Sequence, residues 1–471
     1  MLVLRVKAFC LLHALLAISL LSGGCSSVGK ITNVPIEKLP EVEQRYAFTN
    51  HVKEHGIGNV LFVLAFSGGG TRAAALSYGV LEELGSTFYE SGGKKLRLLD
   101  EVDRISSVSG GSFTAAYYGL FGDQIFDKFK NDFLYKDIQG ELTGRIYYDF
   151  FHFMERQFTG VSRTEDAIDL YDQQIFKGKT FADLQSSGNP FVSINATDLN
   201  SHSQFVFSQD YFDLLCSDLS QLKVARAVAA SSAVPILFSP VLIENYHDCN
   251  RKKPTWLIRA EEKAFQENNL RLQDVVKSLE FYLDPDNPPY ATLVDGGVTD
   301  NLGLRASLAN LMIFEGTKTL QSVLHQATPI KHVVVLIVNA STTAVTDIGK
   351  STELPSAADV FTAVTDIQLH RYNLDSSSLL KNNLVEWTRT LSSRGEAIEP
   401  YFIELSVDDV KNEKEFIFFN KIPTSFTLEQ EQVDNIINTA KRLLRKDPEY
   451  QKLLDNLGAS GSSGDDHPFA D

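Results

Sequence analysis

Three short stretches carry residues able to act together on a carbonyl carbon. The first is Ser107-Val108-Ser109-Gly110-Gly111. A serine hydroxyl is a weak nucleophile at neutral pH, so it needs an exposed position and a base beside it. A sharp strand-to-helix turn provides the exposure when the residues two before and two after the serine are small, as Ser107 and Gly111 are. The hydroxyl then stands at a helix N-terminus, where free N–H groups and the helix dipole favour developing negative charge. By itself the motif is a weak signal, because Ser/Gly turns entering helices are common and more often read as ordinary chain geometry. The second stretch is Gly68-Gly69-Gly70-Thr71-Arg72. Three glycines let the backbone approach a bound group and aim successive N–H donors at one point, which is what an oxyanion hole requires. The third is Asp295-Gly296-Gly297, directly after an apolar run. A carboxylate there is free to point across the mouth of a sheet, although an isolated Asp-Gly-Gly also reads as a capped turn. Asp300 is the second-choice carboxylate.

The chemistry these groups could perform is acyl transfer. Ser109 would be the nucleophile and Asp295 its base, with N–H groups of Gly68, Gly69, Gly70 and Gly110 facing the oxyanion. A solvated Asp, with a pKa of about 3.9, is a weak base at pH 7. Asp295 therefore has to lie within roughly 2.6–3.2 Å of the Ser109 hydroxyl and be partly buried. A conventional triad is the competing scheme, since the order Ser…Asp…His admits His325, His332 or His370. A phosphate-binding loop and a merely structural turn are the rival readings of the glycine run, the first weakened because neither G-x-x-x-x-G-K-[ST] nor G-x-G-x-x-G with a ribose-binding acid is present. No Cys/His spacing resembles a metal site, so the scheme uses no metal and no cofactor. Arg72 and Arg226 could bind a phosphate headgroup or serve local structure.

These groups need a scaffold, and the hydrophobic pattern supplies one. Asn59 to Phe66 is a continuous apolar run, as expected of a strand buried on both faces. Arg72 to Leu84 has helical periodicity, Val102 to Val108 reads as a strand, and Ser112 to Leu120 suits a helix. Further strands are predicted at Pro190 to Ala196, Gln204 to Ser208, Ala291 to Val294, His332 to Asn339 and Tyr401 to Leu405, with a helix over Leu219 to Ser232. Buried strands alternating with helices imply an α/β fold whose central sheet is mainly parallel and flanked by helices. Residues 25–56 read as a polar tether and 57–345 as the catalytic domain. A mostly helical extension over 346–457 follows, with amphipathic helices at Ala357 to Tyr372 and Leu428 to Arg445 and a polar link at 346–356. Residues 458–471 are small and polar and read as a disordered tail.

In order and context the motifs resemble those of the patatin-like phospholipases, which combine a Gly-rich oxyanion loop, a G-x-S-x-G elbow and a later D-G-[GA]. The matching residues are Gly68 to Gly70 with Arg72, then Ser109 within Ser-Val-Ser-Gly-Gly, then Asp295-Gly296-Gly297. Ala196-Thr197-Asp198-Leu199-Asn200 and the Arg226 to Pro235 segment (RAVAASSAVP) add to the similarity, which spans roughly residues 57 to 305. Ser67, Ala73 and Ser107 depart from the pattern, standing where the family often has an acid, a Gly and a Gly. The resemblance implies a three-layer patatin-like fold and a Ser–Asp dyad without His. It further implies a phospholipase A or lysophospholipase type of activity on phospholipid or other acyl-lipid substrates. Acyl transfer to an acceptor other than water, or a non-catalytic lipid-binding lipoprotein, are the alternative functions.

The N-terminus bears on location. Arg5 and Lys7 precede an apolar run from Ala8 to Leu21, too short for the roughly 20 residues a bilayer needs and suited to a signal peptide over residues 1–24. Leu21-Ser22-Gly23-Gly24-Cys25-Ser26 resembles a bacterial lipobox, with Ser22 where Leu is preferred. That implies lipidation at Cys25 and an exported protein held on the outer membrane or facing the periplasm. The chain carries a net charge of −16, which offers no attraction to nucleic acid or anionic headgroups. Membrane contact would therefore depend on the lipid anchor. Cys216 and Cys249 remain, either paired in an oxidising compartment or as two thiols. Asn195 and Asn339 match glycosylation acceptors within strand-like runs and are read as chance. Oligomeric state is not legible.

Overall fold

The computed structural model describes residues 29–36, 45–144, 162–235, 237–247, 249, 252–305, 330–342, 352, 354–392 and 397–459. The signal segment, Cys25, His325, most of the 346–356 link and residues 460–471 lie outside them.

An eight-stranded sheet organises the chain. In sequence order its strands are β1 (Val60–Phe66), β2 (Val102–Val108), β3 (Phe191–Asp198), β4 (Ser203–Val206), β5 (Val241–Glu244), β6 (Tyr290–Asp295), β7 (His332–Asn339) and β8 (Glu399–Ser406). The spatial order is β8-β7-β1-β2-β3-β6-β5, with β4 also paired to β3. β8, β7, β1, β2 and β3 run parallel, whereas β4, β6 and β5 add antiparallel pairings. Central strands alternate between two cores. Val60, Phe62, Leu64 and Phe66 of β1 enter one apolar cluster, while Leu61 and Ala65 enter the other. Both faces are covered, which is why β1 and β7 read as unbroken apolar runs.

Helices α1 (Gly70–Ser86), α2 (Gly110–Phe121), α3 (Val224–Ser231), α4 (Gly297–Asp300), α5 (Ala357–Ser392) and α6 (Gln430–Lys446) complete the parts used below. The expected helix over Leu219 to Ser232 is split: Leu219–Gln221 is one 3-10 turn, and α3 begins only at Val224. The helix expected at Ala357 to Tyr372 runs on to Ser392 as α5. Parallel strands need a long crossover, and α5 lies in the one that carries the chain from β7 to β8. Its Leu380, Leu384 and Trp387 pack on the face of the sheet that presents Leu61, Val333 and Val335.

Two expected appendages are part of this core. The C-terminal region is mostly helical, as expected, and it also supplies β8, which forms the sheet edge along the whole of β7. α6 buries Val433, Ile436, Ile437, Ala440 and Leu444, a 3.6-residue stripe. It crosses α1 so closely that a Cβ on Gly79 would sit 2.6 Å from the Ile437 carbonyl oxygen. Arg445 clasps the buried Glu83 carboxylate through Nε and Nη2 at 2.9 and 2.8 Å. The stretch read as a tether is also docked where described. Val34 and Pro35 pair with Asp218 and Ser217, and Phe48–His55 is a helix. The Tyr46 hydroxyl donates to the Val192 carbonyl at 2.9 Å. Polarity suggested solvent, but the polar groups found partners inside. Cys216 and Cys249 form a disulfide. No helix among the described residues is long and apolar enough to cross a membrane.

Candidate active site

β1 and β2 are parallel neighbours, with Phe66 opposite Ser107. The glycine run and Ser109 therefore leave the sheet at the same edge, outside the C-terminal ends of the strands, where open α/β sheets place their sites. Ser109 forms the turn into α2 with φ 48° and ψ −121°. A non-glycine residue held there costs of order 1–3 kcal/mol and marks an elbow that the surroundings must enforce.

The carboxylate arrives from the other direction. Val108 of β2 pairs with Asn195 of β3 in parallel, and Asp295 of β6 pairs with the next residue, Ala196, antiparallel. The ends of β2 and β6 therefore meet. The Ser109 hydroxyl donates to Asp295 Oδ2 at 2.8 Å, and Oδ1 accepts the Gly297 N–H at 2.7 Å. Ser109 is 5% and Asp295 8% exposed. Burial pushes the Asp295 pKa up to about 6, while the Gly297 N–H and the Ser109 hydroxyl pull it down. A carboxylate with that pKa is about nine-tenths ionised at pH 7, yet much more basic than a solvated one.

The glycine loop is fastened at both ends. Ser67 N–H donates to the Val338 carbonyl at 3.1 Å, and the Ser67 hydroxyl accepts from Ala340 N–H at 2.8 Å, so a serine anchors the loop to the end of β7. Gly69 and Gly70 have φ of 139° and 62°, open to glycine and strained for other residues. The two loops touch: a Cβ on Gly110 would lie 2.0 Å from the Gly70 oxygen and 2.7 Å from its nitrogen. Among the described residues, the N–H groups of Gly69, Gly70 and Gly110 have no acceptor, leaving three donors at the helix starts beside Ser109. Gly68 is a correction to the expected set. Its N–H is spent on the Asn301 carbonyl at 3.0 Å. Its contribution is space, since a Cβ there would meet Asn301 Oδ1 at 2.5 Å and Ser109 Cβ at 3.3 Å.

The two arginines are internal braces rather than headgroup ligands. Arg72 donates from Nε to the Ala340 carbonyl at 3.0 Å and from its guanidinium to the Ile422 carbonyl and Thr424 Oγ1. Its neighbour Thr71 donates its N–H to the Ser425 carbonyl at 2.8 Å, so the strap 422–425 holds the start of α1. Arg226, 3% exposed, pairs with Glu165 at 2.6 Å and donates to the Lys30 carbonyl at 3.2 Å.

The two histidine alternatives among the described residues, His332 and His370, lie elsewhere. His332 opens β7 opposite Val60, six residues and roughly 20 Å back from the edge that holds Ser109, and contacts the Tyr401 hydroxyl. His370 is exposed on α5. No histidine among the described residues hydrogen-bonds to Ser109 or Asp295. Asp300 is buried and binds the Arg305 N–H at 2.6 Å and Gln204 at 3.3 Å, without contacting Ser109. Ser231, Asn301 and Ser425 also hold the site, and of the three only Ser231 lies in a segment with a recognisable sequence pattern, Arg226 to Pro235. A separate cleft of about 560 Å³, lined by His51, Asp100, Glu101 and Asp103, opens where β2 and β3 begin, at the far end of the sheet. No group of three or more His, Cys, Asp or Glu among the described residues could hold a metal.

Comparison with known proteins follows the same residues. A family model described as patatin-like phospholipase matches residues 64–308, which include Gly68 to Gly70, Ser109 and Asp295. No curated protein matches the chain. Among solved structures, human GIVD cytosolic phospholipase A2 is similar with a TM-score of 0.44 and 11% identity, over 91% of this chain and 66% of that one. The same human enzyme in complex with methyl gamma-linolenyl fluorophosphonate and terbium chloride gives 0.40 and 12%, over 92% and 66%. The chain thus spans just under two thirds of the length of these structures.

Proposed function

The chain belongs to the patatin-like phospholipase family, and from that premise we propose that it is a serine acyl hydrolase of the phospholipase A or lysophospholipase type. The observation that carries the reading is the 2.8 Å hydrogen bond from the Ser109 hydroxyl to a buried Asp295 carboxylate. In this mechanism Asp295 Oδ2 takes the hydroxyl proton as Ser109 Oγ attacks the ester carbonyl carbon. The carbonyl oxygen becomes an oxyanion facing the N–H groups of Gly69, Gly70 and Gly110. Collapse breaks the bond to the alcohol, which leaves with the proton held by Asp295 and yields an acyl-Ser109 ester. Water then attacks that ester, passing one proton to Asp295, and the fatty acid departs as Ser109 regains its hydrogen. Each oxyanion donor is worth about 100- to 1,000-fold in rate, so three of them compensate for a base weaker than imidazole.

The proposal extends to location. Residues 1–24 act as a signal and Cys25 carries the lipid that anchors an exported protein; the Cys216–Cys249 disulfide supports an oxidising compartment. The test of function uses protein lacking residues 1–24, phosphatidylcholine vesicles and a short-chain p-nitrophenyl ester. Wild type is expected to release fatty acid and nitrophenol, and Ser109→Ala to release neither above background. Equal activity in the two would refute the proposal.

A further inference from the structure

The hydrogen bond between Ser109 and Asp295 joins two strand ends that come from distant parts of the chain, and a single turn grips both. α3 ends at Ser231. The last carbonyls of a helix have no partner within it, and here they are used across the sheet. The Ser231 carbonyl accepts the Gly296 N–H at 3.1 Å, and the Ala233 carbonyl just beyond accepts the Asp295 N–H at 3.0 Å. The Ser231 side chain faces the other partner: its hydroxyl oxygen accepts the Ser109 N–H at 2.8 Å and donates to the Asn195 carbonyl at 2.6 Å. Ser112 Oγ lies 3.1 Å away and completes the set. A hydroxyl has one hydrogen and two acceptor sites, so all of its capacity is used, at 0% exposure.

We propose that Ser231 is a positioning residue for the dyad: its hydroxyl holds the backbone of the nucleophile while its own carbonyl holds the backbone beside the base. The inference rests on the Ser–Asp reading above. It follows that the Ser109 N–H is committed to Ser231 and is not one of the oxyanion donors. The strained turn at Ser109 needs such a restraint, because its relaxation would carry Oγ away from Asp295. Displacement of a reacting group by about 1 Å costs about 100-fold.

The test compares wild type with Ser231→Ala, Ser112→Ala and Ser109→Ala. It measures the second-order rate and final stoichiometry of labelling by an alkyl fluorophosphonate, together with kcat and KM on a p-nitrophenyl ester. Ser231→Ala is expected to reach the wild-type label per chain, but about 10- to 100-fold more slowly. Its kcat should fall in step and its KM stay within about twofold; the full final label per chain separates this from loss of folded protein, which would lower kcat and the label together. Ser112→Ala removes a hydroxyl from the same network without freeing the Ser109 N–H, and should label within about threefold of wild type. Wild-type labelling by Ser231→Ala, or equal slowing in Ser112→Ala, would overturn the proposal. If Ser231→Ala does not fold, Ser231→Cys keeps the shape with a weak acceptor; slowed labelling to full stoichiometry supports the clamp and wild-type labelling overturns it. Undiminished labelling of Ser109→Ala would instead overturn the dyad itself, separating the two failures.

Discussion

Asp295 is 8% exposed, and burial moves its pKa from 3.8 to about 6. A folded-state pKa above the unfolded one means that folding favours the protonated acid, so the ionised carboxylate costs stability at high pH. From those two values the cost is about 3 kcal/mol above pH 7, about half of that at pH 5 and under about 1 kcal/mol at pH 4. Asp295→Asn removes the charge while keeping an oxygen for the Gly297 N–H and an amide for the Ser109 hydroxyl. The variant should therefore be more stable than wild type at pH 8, by up to about 3 kcal/mol. For 471 residues at about 2.1 cal/mol/K each, that is about 3 °C in Tm. The gain should fade as pH drops through 6 towards 4. Activity should move the other way, falling about 100- to 10,000-fold with the loss of the base. Paired calorimetry of both proteins at pH 8, 6 and 4.5 is the assay, since comparison at one pH cancels every other titrating group. An Asn variant no more stable than wild type at pH 8, or a gain independent of pH, would refute the claim that a buried charge is kept at this position for chemistry.

The same site makes two further predictions, and the Arg226 brace makes a third. kcat/KM on a fluorogenic ester should fall tenfold per pH unit below about 6, as Asp295 gains its proton, and a profile flat from pH 7 to 5 would contradict its role as base. Gly110→Ala drives a methyl to within 2.0 Å of the Gly70 oxygen, so kcat should drop at least about 100-fold; wild-type kcat would show that the two loops need not touch. Arg226→Met leaves Glu165 buried without its partner and should cost about 3–5 kcal/mol in denaturant unfolding. Its KM for phosphatidylcholine should stay within about twofold of wild type, whereas a large rise in KM would return Arg226 to the role of headgroup ligand.

Much of the site could be read without coordinates because its parts are local. A buried strand, three glycines and a helix start permit an anion-binding turn, small residues around Ser109 permit an elbow, and the two together with Asp295-Gly296-Gly297 point to one site. The structure brings Ser109 and Asp295 together through a relation that the chain order does not reveal, namely pairing of β2 and β6 with adjacent residues of β3. Gly68 was misassigned as a donor for the same reason: its N–H meets a carbonyl more than two hundred residues away, at Asn301. Long-range partners also decide how the two end regions dock on the core. Residues near Val34 and Phe48 are polar enough to read as a tether, yet they fill their hydrogen bonds against β3 and the Ser217–Asp218 strand. Beyond residue 345 the helical periodicity was plain, but nothing in it announced that Ser425 and Ile422 would brace Thr71 and Arg72. Ser231 was visible only as one small residue in a helix of small residues. Its importance lies in what its hydroxyl and carbonyl reach.

The central claim is that the Ser109 hydroxyl becomes covalently bonded to the substrate's acyl group. Mass spectrometry of the protein after reaction with an alkyl fluorophosphonate, followed by digestion, tests this directly. The account predicts one adduct per chain, on the peptide that contains Ser109, together with loss of ester hydrolysis in proportion to labelling. Full ester hydrolysis by protein whose Ser109 is quantitatively modified, or an inactivating adduct found on another residue with Ser109 untouched, would contradict it.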